Sequence, residues 1–216
     1  MEIKVMKRVL DRNQDKAEQI RSLLKEKKVR MYNLISSPGA GKTTLLEQTC
    51  RHLDHQLRVG IIEGDVYTDR DAQRLKQYGF PIVLINTEGG CHLDSNSIDG
   101  ALKEFDLEEM DLLFVENVGN LVCPSHFDLG ETAKIAVVST SEGDDKPIKY
   151  PMLFRDARAV ILNKIDLLEH TNFNYDAFIK DLRQVNPTVP LFETSCTRGE
   201  GLQDWYRWLE QEGRNA

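Results

Sequence analysis

The chain has 216 residues, 40% of them hydrophobic and 29% charged, which is typical of one globular domain with a sizeable core. Its formal net charge of −7 at pH 7 argues against a nucleic-acid partner, which would favour a basic surface. No apolar stretch is long enough to span a membrane, and the first residues lack the apolar core of a signal peptide. We therefore expect a cytoplasmic protein, in which the four cysteines favour metal binding or catalysis over disulfides.

Short apolar runs alternate with helical patterns along the chain. Residues 7–28 carry apolar side chains at helical spacing and predict an amphipathic helix. Strands are predicted at 31–36, 58–63, 82–86, 111–117, 134–139, 158–163 and 190–194. Because several of these runs are β-branched and almost continuously apolar, both faces of the sheet should be covered. We predict an N-terminal helix over residues 1–29 and an α/β domain over 30–216, with a doubly wound, mostly parallel sheet and helices on both faces.

The segment SSPGAGKTT follows the first predicted strand and begins a helix, as a phosphate-binding loop (P-loop) does. Its glycines allow backbone N–H groups to turn toward an anion at the helix N-terminus. Lys42 can reach the β- and γ-phosphates as a catalytic residue, and the Thr43 hydroxyl can ligate Mg²⁺. The first position of the usual pattern is glycine, and here it is Ser36. The predicted phosphate-binding residues are Ser37, Gly39, Ala40, Gly41, Lys42, Thr43 and Thr44.

The tetrapeptide NKID follows a later predicted strand and is typical of a guanine site. The Asp166 carboxylate can accept hydrogen bonds from N1–H and N2–H₂ of guanine, two donors that adenine lacks. Lys164 can lie over the base, and Asn163 can join the two nucleotide-binding loops. The segment TSCTRGEG adds Ser195 and Cys196, and the Cys196 backbone N–H is predicted to meet a guanine oxygen. Together with the P-loop, these segments predict a P-loop GTPase domain.

Two acidic residues near strand ends are candidates for the catalytic centre. Glu116 ends a predicted strand and forms the pattern E-x-x-G with Gly119, so that Glu116 would hold Mg²⁺ and the Gly119 N–H would meet the γ-phosphate. Asp65 lies just past another strand and can coordinate Mg²⁺ or align the attacking water. The next acids, Asp69 and Asp71, can instead begin a helix, because acids favour the first turn.

A second site is predicted around two cysteines and a histidine. Cys91 and His92 lie in the loop GGCHLD, and Cys123 follows the E-x-x-G pattern. Loops at the carboxyl ends of parallel strands gather at one edge of a sheet, so the three side chains can meet near the nucleotide. Two thiolates and an imidazole form a transition-metal ligand set, with His126 as a competing ligand. Free cysteines are also common as small buried hydrophobic residues, which is the preferred interpretation for Cys50.

The segment that senses the γ-phosphate also carries Cys123. We therefore expect hydrolysis to shift this segment and to alter metal affinity. Coupling between two sites is reciprocal, so metal should also affect nucleotide handling.

Several segments together resemble the HypB family, the nickel-insertion GTPases of [NiFe]-hydrogenase maturation. They are SSPGAGKTTLL, EGD, CHLD, FVENVGNLVCP, DLGE, EGDDKPIKYP and NKIDL, and the resemblance runs from about residue 30 to the C-terminus. It implies a GTP-dependent homodimer that holds Ni²⁺ or Zn²⁺ through Cys91, His92 and Cys123 at or beside the dimer interface. It also implies a partner nickel metallochaperone and the hydrogenase large subunit as partners. No cysteine or histidine precedes Cys50, so we expect neither a tight N-terminal metal site nor nickel storage.

Two other functions stay open on the sequence alone. GTP can act as a switch for a non-catalytic binding module with structural zinc, and a slow hydrolysis rate that no partner accelerates would favour that function. The chain can instead be a GTPase chaperone of another metalloenzyme such as urease, whose nickel GTPase is a related, weaker match. Thiolate and imidazole ligands suit both nickel and zinc, so the residue types do not decide the metal.

Overall fold

The computed structural model describes residues 2–65, 75 and 79–214, and within them seven strands form one sheet in which every neighbouring pair is parallel. The strands are β1 (Arg30–Ser36), β2 (Val59–Asp65), β3 (Ile82–Asn86), β4 (Leu112–Glu116), β5 (Ala133–Ser139), β6 (Ala157–Asn163) and β7 (Leu191–Thr194). Their spatial order is β3-β2-β4-β1-β5-β6-β7, so the chain crosses over β1 between β4 and β5. Such a crossing marks the edge at which doubly wound sheets bind ligands.

The described helices precede the sheet, connect its strands or, for the last one, follow β7. They are α1 (Glu2–Lys27), α2 (Lys42–Leu53), α3 (Ser95–Leu102), α4 (Cys123–His126), α5 (Lys146–Lys149), α6 (Pro151–Asp156), α7 (Tyr175–Val185) and α8 (Leu202–Arg214). Two 3₁₀ segments span Leu107–Glu109 and Ile165–His170. Among these helices, none combines the length and the apolar character needed to cross a membrane.

One face of the sheet is covered by α2 and α8. Side chains from β1, such as Tyr32 and Leu34, point to this face and are fully buried against the two helices. In α8 the residues Leu202, Trp205 and Leu209 recur at helical spacing and form the buried stripe. Burial of such apolar surface is the main stabilising contribution to the fold.

The opposite face is covered by α1 and α3 beside β2 and β4, and by α6 and α7 beside β5 and β6. In α1 the side chains of Ala17, Ile20 and Leu24 are buried at helical spacing, which explains why this charged segment packs on the sheet. Helices therefore lie on both faces, and the predicted fold class is confirmed.

The predicted boundaries agree closely with the structure. The strand at Ile82–Asn86 has the predicted limits, whereas α1 begins at Glu2 instead of residue 7. The helix start considered at Asp69 and Asp71 lies outside the described residues. The division into an N-terminal helix and a separate domain stays a prediction.

Candidate functional site

The phosphate-binding loop joins β1 to α2, and its lysine lies folded onto the loop. Lys42 Nζ donates a hydrogen bond of 2.8 Å to Oγ of Ser36, and both side chains are buried. Ser36 Oγ in turn donates to the carbonyl oxygen of Ser37 across 2.6 Å. The serine at the usual glycine position therefore orients the lysine. Lys42 is the first residue of α2, and a helix N-terminus favours a bound phosphate.

This loop forms a wall of a cleft of about 540 Å³ at the carboxyl edge of the sheet. Besides Lys42 and Thr43, the predicted site residues that line the cleft are Gly39, Gly41, Thr44, Glu116, Gly119 and Lys164. Residues predicted from three separate segments of the sequence therefore line one cavity.

Thr43 and Glu116, two of the three side chains predicted to bind Mg²⁺, are in direct contact. Thr43 Oγ1 donates to Oε1 of Glu116 across 2.8 Å, and both residues are buried. Glu63 of β2 is the register partner of Glu116 and is also buried. Carboxylate and hydroxyl oxygens are ligands that Mg²⁺ accepts, so these residues fit the ion. The backbone of Asp65 ends β2, but its side chain lies outside the described part of the structure, and its role stays a prediction.

Glu63 is a site residue that the sequence reasoning missed. The strand was predicted to end at residue 63, whereas β2 continues to Asp65 and holds Glu63 in its interior. The segment VGIIEGD could have indicated this residue, because it places a glutamate directly after an apolar strand run. A glutamate in such a strand is seldom buried unless it has a partner or a ligand.

Gly119 packs closely on the phosphate-binding loop. A Cβ atom at this position would lie 3.0 Å from both Cα and Cγ of Pro38, which is tighter than nearly all real contacts of such an atom. Glycine therefore allows the backbone after β4 to approach the loop. The E-x-x-G segment contacts the phosphate-binding region at both ends, through Glu116 and Gly119.

The segment after β6 is tied to the phosphate-binding loop by two side chains. Asn163 Nδ2 donates to the carbonyl oxygen of Ala40 across 2.9 Å, and Lys164 Nζ donates to that of Gly39 across 2.7 Å. Lys164 has a φ of 61°, a left-handed conformation that residues with a side chain adopt uncommonly and that often marks ligand sites. The two predicted nucleotide loops are therefore joined, as expected for Asn163.

Asp166 carries an acceptor that is available for a ligand. Its Oδ1 atom is buried and has no hydrogen-bond partner within the described residues. Its Oδ2 atom lies 3.6 Å from Nε of Arg198. The hydrogen bond with Ser195 holds the pKa of Asp166 below its usual value and so stabilises the ionised form that an aspartate already has at neutral pH. A buried acceptor without a donor is costly, and the N–H groups of guanine would satisfy it.

Cys196 makes a contact that differs from the predicted one. Its backbone N–H donates to Oδ1 of Asn163 across 3.1 Å, whereas the predicted acceptor of this N–H is a guanine oxygen. The predicted contact would require an exchange of acceptors when the ligand binds, and it stays a prediction. Burial raises the pKa of the Cys196 thiol to about 11, as expected for a thiol with a structural role.

Cys91, His92 and Cys123 converge into a cluster, which we name the thiol–imidazole cluster. Each offers one ligand atom, and these atoms all lie within 4.8 Å of one another. Cys91 is exposed, and the other two are half-buried, so the open side faces solvent. His126, considered as a competing ligand, is exposed and lies outside this cluster. Three ligands leave a fourth position of a tetrahedral ion open.

Neighbouring groups set the chemistry of this cluster. The hydrogen bond between the two thiols raises the pKa of Cys91, and burial lowers the pKa of His92. The imidazole is therefore neutral at pH 7, which is the form that binds metals. Phe127 stacks on His92 with ring centroids 3.8 Å apart, and Asn120 Nδ2 donates to the carbonyl oxygen of Cys91 across 3.2 Å.

Cys50 behaves differently from the cluster cysteines. It is fully buried in the core between α2 and the sheet, and burial raises its pKa to about 12. This agrees with its interpretation as a small core residue.

Asn117 connects the cleft with the thiol–imidazole cluster. It follows Glu116 directly, and its Oδ1 atom accepts a hydrogen bond of 3.2 Å from the N–H of Leu93, the residue after His92. Its Nδ2 atom donates to Oδ1 of Asn33 across 3.1 Å, and the side chain is buried. Glu116 is therefore linked, through the adjacent Asn117, to the loop that bears two of the cluster residues.

Comparisons with known proteins agree with this geometry. A family model described as CobW/HypB/UreG, nucleotide-binding domain, matches residues 30–193. The hydrogenase maturation factor HypB of Escherichia coli (strain K12) is 46% identical over 204 residues, which are 94% of this chain and 70% of that protein. The hydrogenase/urease maturation factor HypB of Helicobacter hepaticus (strain ATCC 51449 / 3B1) is 42% identical over 97% of this chain and 88% of that protein.

A solved structure gives the same result in three dimensions. HypB from Helicobacter pylori in complex with nickel superposes with a TM-score of 0.88 at 39% identity, over 94% of this chain and 96% of that chain. The resemblance found in the sequence motifs is confirmed by these matches. The chain belongs to the HypB family, within the CobW/HypB/UreG class of nucleotide-binding domains.

Proposed function

We propose that the protein is a GTP-hydrolysing metallochaperone that inserts nickel during [NiFe]-hydrogenase maturation. One observation carries this proposal: the segment from Glu116 to Cys123 contacts the phosphate-binding loop at one end and bears a thiol of the thiol–imidazole cluster at the other. A segment of this kind is suited to bind or release metal when the nucleotide changes. The names of the relatives, which are hydrogenase maturation factors, support the hydrogenase large subunit as the client.

Guanine selection is assigned to Asp166 in this proposal. Its buried, unpaired Oδ1 atom would accept hydrogen bonds from guanine, whereas adenine would leave it unsatisfied. The hydrogen bond with Ser195 lowers the pKa of Asp166 and so favours the charged acceptor further. Lys164, which donates to the carbonyl oxygen of Gly39, would lie over the base. The remaining predicted contacts are those of Ser37, Ala40, Gly41, Thr44, Asn163 and Cys196.

Hydrolysis of GTP to GDP and phosphate is assigned to the opposite end of the cleft. Lys42 and the loop N–H groups would neutralise the phosphates, and the Gly119 N–H would bind the γ-phosphate. Thr43 and Glu116, with Asp65, would hold Mg²⁺, and the ion would supply positive charge against the charge that develops on the phosphate oxygens. Asp65 is the candidate that aligns the attacking water. The contact between Thr43 and Glu116 supports this assignment.

The thiol–imidazole cluster is assigned to the metal cargo, Ni²⁺ or Zn²⁺. Thiolate and imidazole ligands suit both ions, and the nickel complex of the Helicobacter pylori relative supports nickel. Cys91 is exposed, so a fourth ligand can come from water, from a second copy of the chain or from a partner nickel metallochaperone. A homodimer with the cluster at or beside a two-fold axis would bring six candidate ligands together.

Nucleotide and metal binding are coupled in this proposal. The contacts of Thr43 with Glu116, and of Asn117 with Leu93, connect the phosphate-binding loop to the loop of Cys91 and His92. A nucleotide that moves Glu116 would change the geometry of the cluster by two routes. One is the segment from Glu116 to Cys123, and the other is the loop of Cys91 and His92, which Asn117 contacts through Leu93. Because coupling is reciprocal, metal would also change nucleotide affinity.

A second client, urease, is favoured by one observation. The relative from Helicobacter hepaticus, 42% identical, has hydrogenase and urease in its name. Restoration of urease activity in a cell that lacks its own nickel GTPase, without restoration of hydrogenase activity, would favour this client over hydrogenase.

Sedimentation with and without metal tests the proposed function. Native protein with a slowly hydrolysed GTP analogue and Ni²⁺ is expected to form dimers, and less so with GDP. Cys123→Ala should abolish the effect of metal while GTP binding is retained. Cys50→Ala provides the matched control, because it removes a buried thiol outside the cluster. The same monomer–dimer balance in native protein and Cys123→Ala under all conditions would refute the proposal.

A further inference from the structure

One buried side chain of α1 contacts both segments that carry the thiol–imidazole cluster. Asn13 Nδ2 donates to the carbonyl oxygen of Asp128 across 2.8 Å, and Asn13 Oδ1 accepts from the N–H of Ser95 across 2.9 Å. The carbonyl oxygen of Asn13 also accepts a hydrogen bond of 2.9 Å from Ser95 Oγ. Asn13 is only 4% exposed, so these contacts are made away from solvent.

Ser95 and Asp128, the two partners of Asn13, are close in sequence to the cluster residues. Ser95 is the first residue of α3 and follows the loop of Cys91 and His92. Asp128 follows α4, which begins at Cys123. Asn13 therefore bridges the segment that holds the imidazole and one thiol to the segment that holds the other thiol.

Further contacts hold the Asp128 segment on α1. Arg21 Nη2 donates to both carboxylate oxygens of Asp128 at 2.7 Å. Gly130 has a φ of 79°, and a Cβ atom there would lie 2.6 Å from the carbonyl oxygen of Ala17, so the backbone packs directly on the helix. The segment is therefore held on α1 by several contacts, including buried ones. A single exposed ion pair would contribute little to the stability of this attachment.

The attachment reaches the ligands through a ring contact. Phe127 directly precedes Asp128 and stacks on His92. Displacement of the Asp128 segment would move Phe127 against the imidazole, and displacement of Ser95 would move the loop of His92 from its other side. Groups behind metal ligands commonly change affinity by about tenfold to a hundredfold.

We propose that Asn13 is a positioning residue for the thiol–imidazole cluster, and that α1 sets the separation between its two loops. This inference rests on the proposed function, because it takes the cluster to be the metal site. It assigns to the N-terminal helix a role in metal affinity that is separate from its contribution to folding.

Equilibrium titration of the full chain with Ni²⁺ alone, in the presence of GDP, tests the inference. Asn13→Ala should weaken Ni²⁺ binding by about tenfold or more and leave GDP affinity unchanged. Asn13→Asp retains the acceptor for the Ser95 N–H but sets a carboxylate oxygen against the Asp128 carbonyl, so it should also weaken Ni²⁺ binding. Absorption spectra with Co²⁺ as a probe should show altered thiolate bands in both variants.

A matched control separates positioning from stability. Ile20→Val loosens the packing of α1 but changes none of these hydrogen bonds, and it should lower the unfolding free energy by about 0.5–1.5 kcal/mol. Its Ni²⁺ affinity should stay within about twofold of the native value, because the bridge between the two loops is intact. Native Ni²⁺ affinity in a folded Asn13→Ala or Asn13→Asp variant would overturn the inference, as would an equal loss in Ile20→Val. A native protein that binds Ni²⁺ no better than Cys123→Ala would instead overturn the proposed metal site, and the inference with it.

Discussion

Thr43 at the start of α2 donates a hydrogen bond of 2.8 Å to Glu116 at the end of β4. This contact joins the phosphate-binding loop to the segment that continues through Asn117 and Gly119 to Cys123. A ligand that recruits either oxygen would break or weaken the bond and release the start of that segment. The nucleotide cleft and the thiol–imidazole cluster are therefore neighbours along one stretch of chain.

The Asp166→Asn substitution should remove the preference for guanine. An amide would no longer offer a negatively charged acceptor to the two guanine donors, and GDP affinity should fall by about tenfold to a hundredfold. Calorimetric titration with GDP and ADP measures this. Equal affinity of the native protein for GDP and ADP would contradict the assignment of the base site.

The Lys42→Ala substitution should abolish hydrolysis without unfolding the protein. The Lys42 ammonium group donates a hydrogen bond to Ser36 in the phosphate-binding loop. In the proposed mechanism it neutralises charge on the phosphates of GTP, which alanine cannot do. We expect turnover to fall about a hundredfold or more. Phosphate release assays measure turnover, and circular dichroism confirms folding. Retained GTPase activity in the folded variant would show that the lysine is not catalytic.

The Asp65→Ala substitution should reduce turnover much more than GDP binding. An acid that aligns water or holds Mg²⁺ acts on the hydrolytic step, so turnover should fall by about a hundredfold. GDP affinity should change by less than about threefold. A parallel loss of both quantities would identify Asp65 as a structural residue.

The Gly119→Ala substitution should weaken GTP binding. The added Cβ atom would lie 3.0 Å from Pro38, so either the phosphate-binding loop or the E-x-x-G segment must shift. Gly100→Ala is the matched control, because a Cβ atom there meets no atom within 4 Å and alanine favours the helix α3. We predict a loss of GTP affinity for Gly119→Ala and none for Gly100→Ala. Similar GTP affinity in the two variants would mean that the close approach has no role in nucleotide binding.

Most of the fold follows from sequence patterns, because the signals are local. The apolar run at Ile82–Asn86 and the periodic residues of α1 identify a strand and a helix without knowledge of any partner. The P-loop also follows, since its glycines and lysine are adjacent in the chain. Strand order and register are different, since they depend on packing between distant segments.

The parts of the site that were missed depend on such distant contacts. Glu63 enters the cleft because its register partner on β4 is Glu116, and no local pattern specifies this pairing. The bridge from Asn13 to Ser95 and Asp128 joins residues far apart in sequence. The thiol–imidazole cluster was predictable because its three ligands, two cysteines and one histidine, are residues of uncommon types that all follow strand ends.

Coupling between the cleft and the cluster is the central claim, and Asn117 is the residue that tests it. Asn117→Ala removes the acceptor for the Leu93 N–H while the cluster ligands and Asp166 are retained. The decisive measurement is the Ni²⁺ affinity of native protein and of Asn117→Ala, each with GDP and with a slowly hydrolysed GTP analogue. We predict that the native affinity differs between the two nucleotides by about fivefold or more, and that the difference is smaller in Asn117→Ala. The same Ni²⁺ affinity of native protein with both nucleotides would contradict the account.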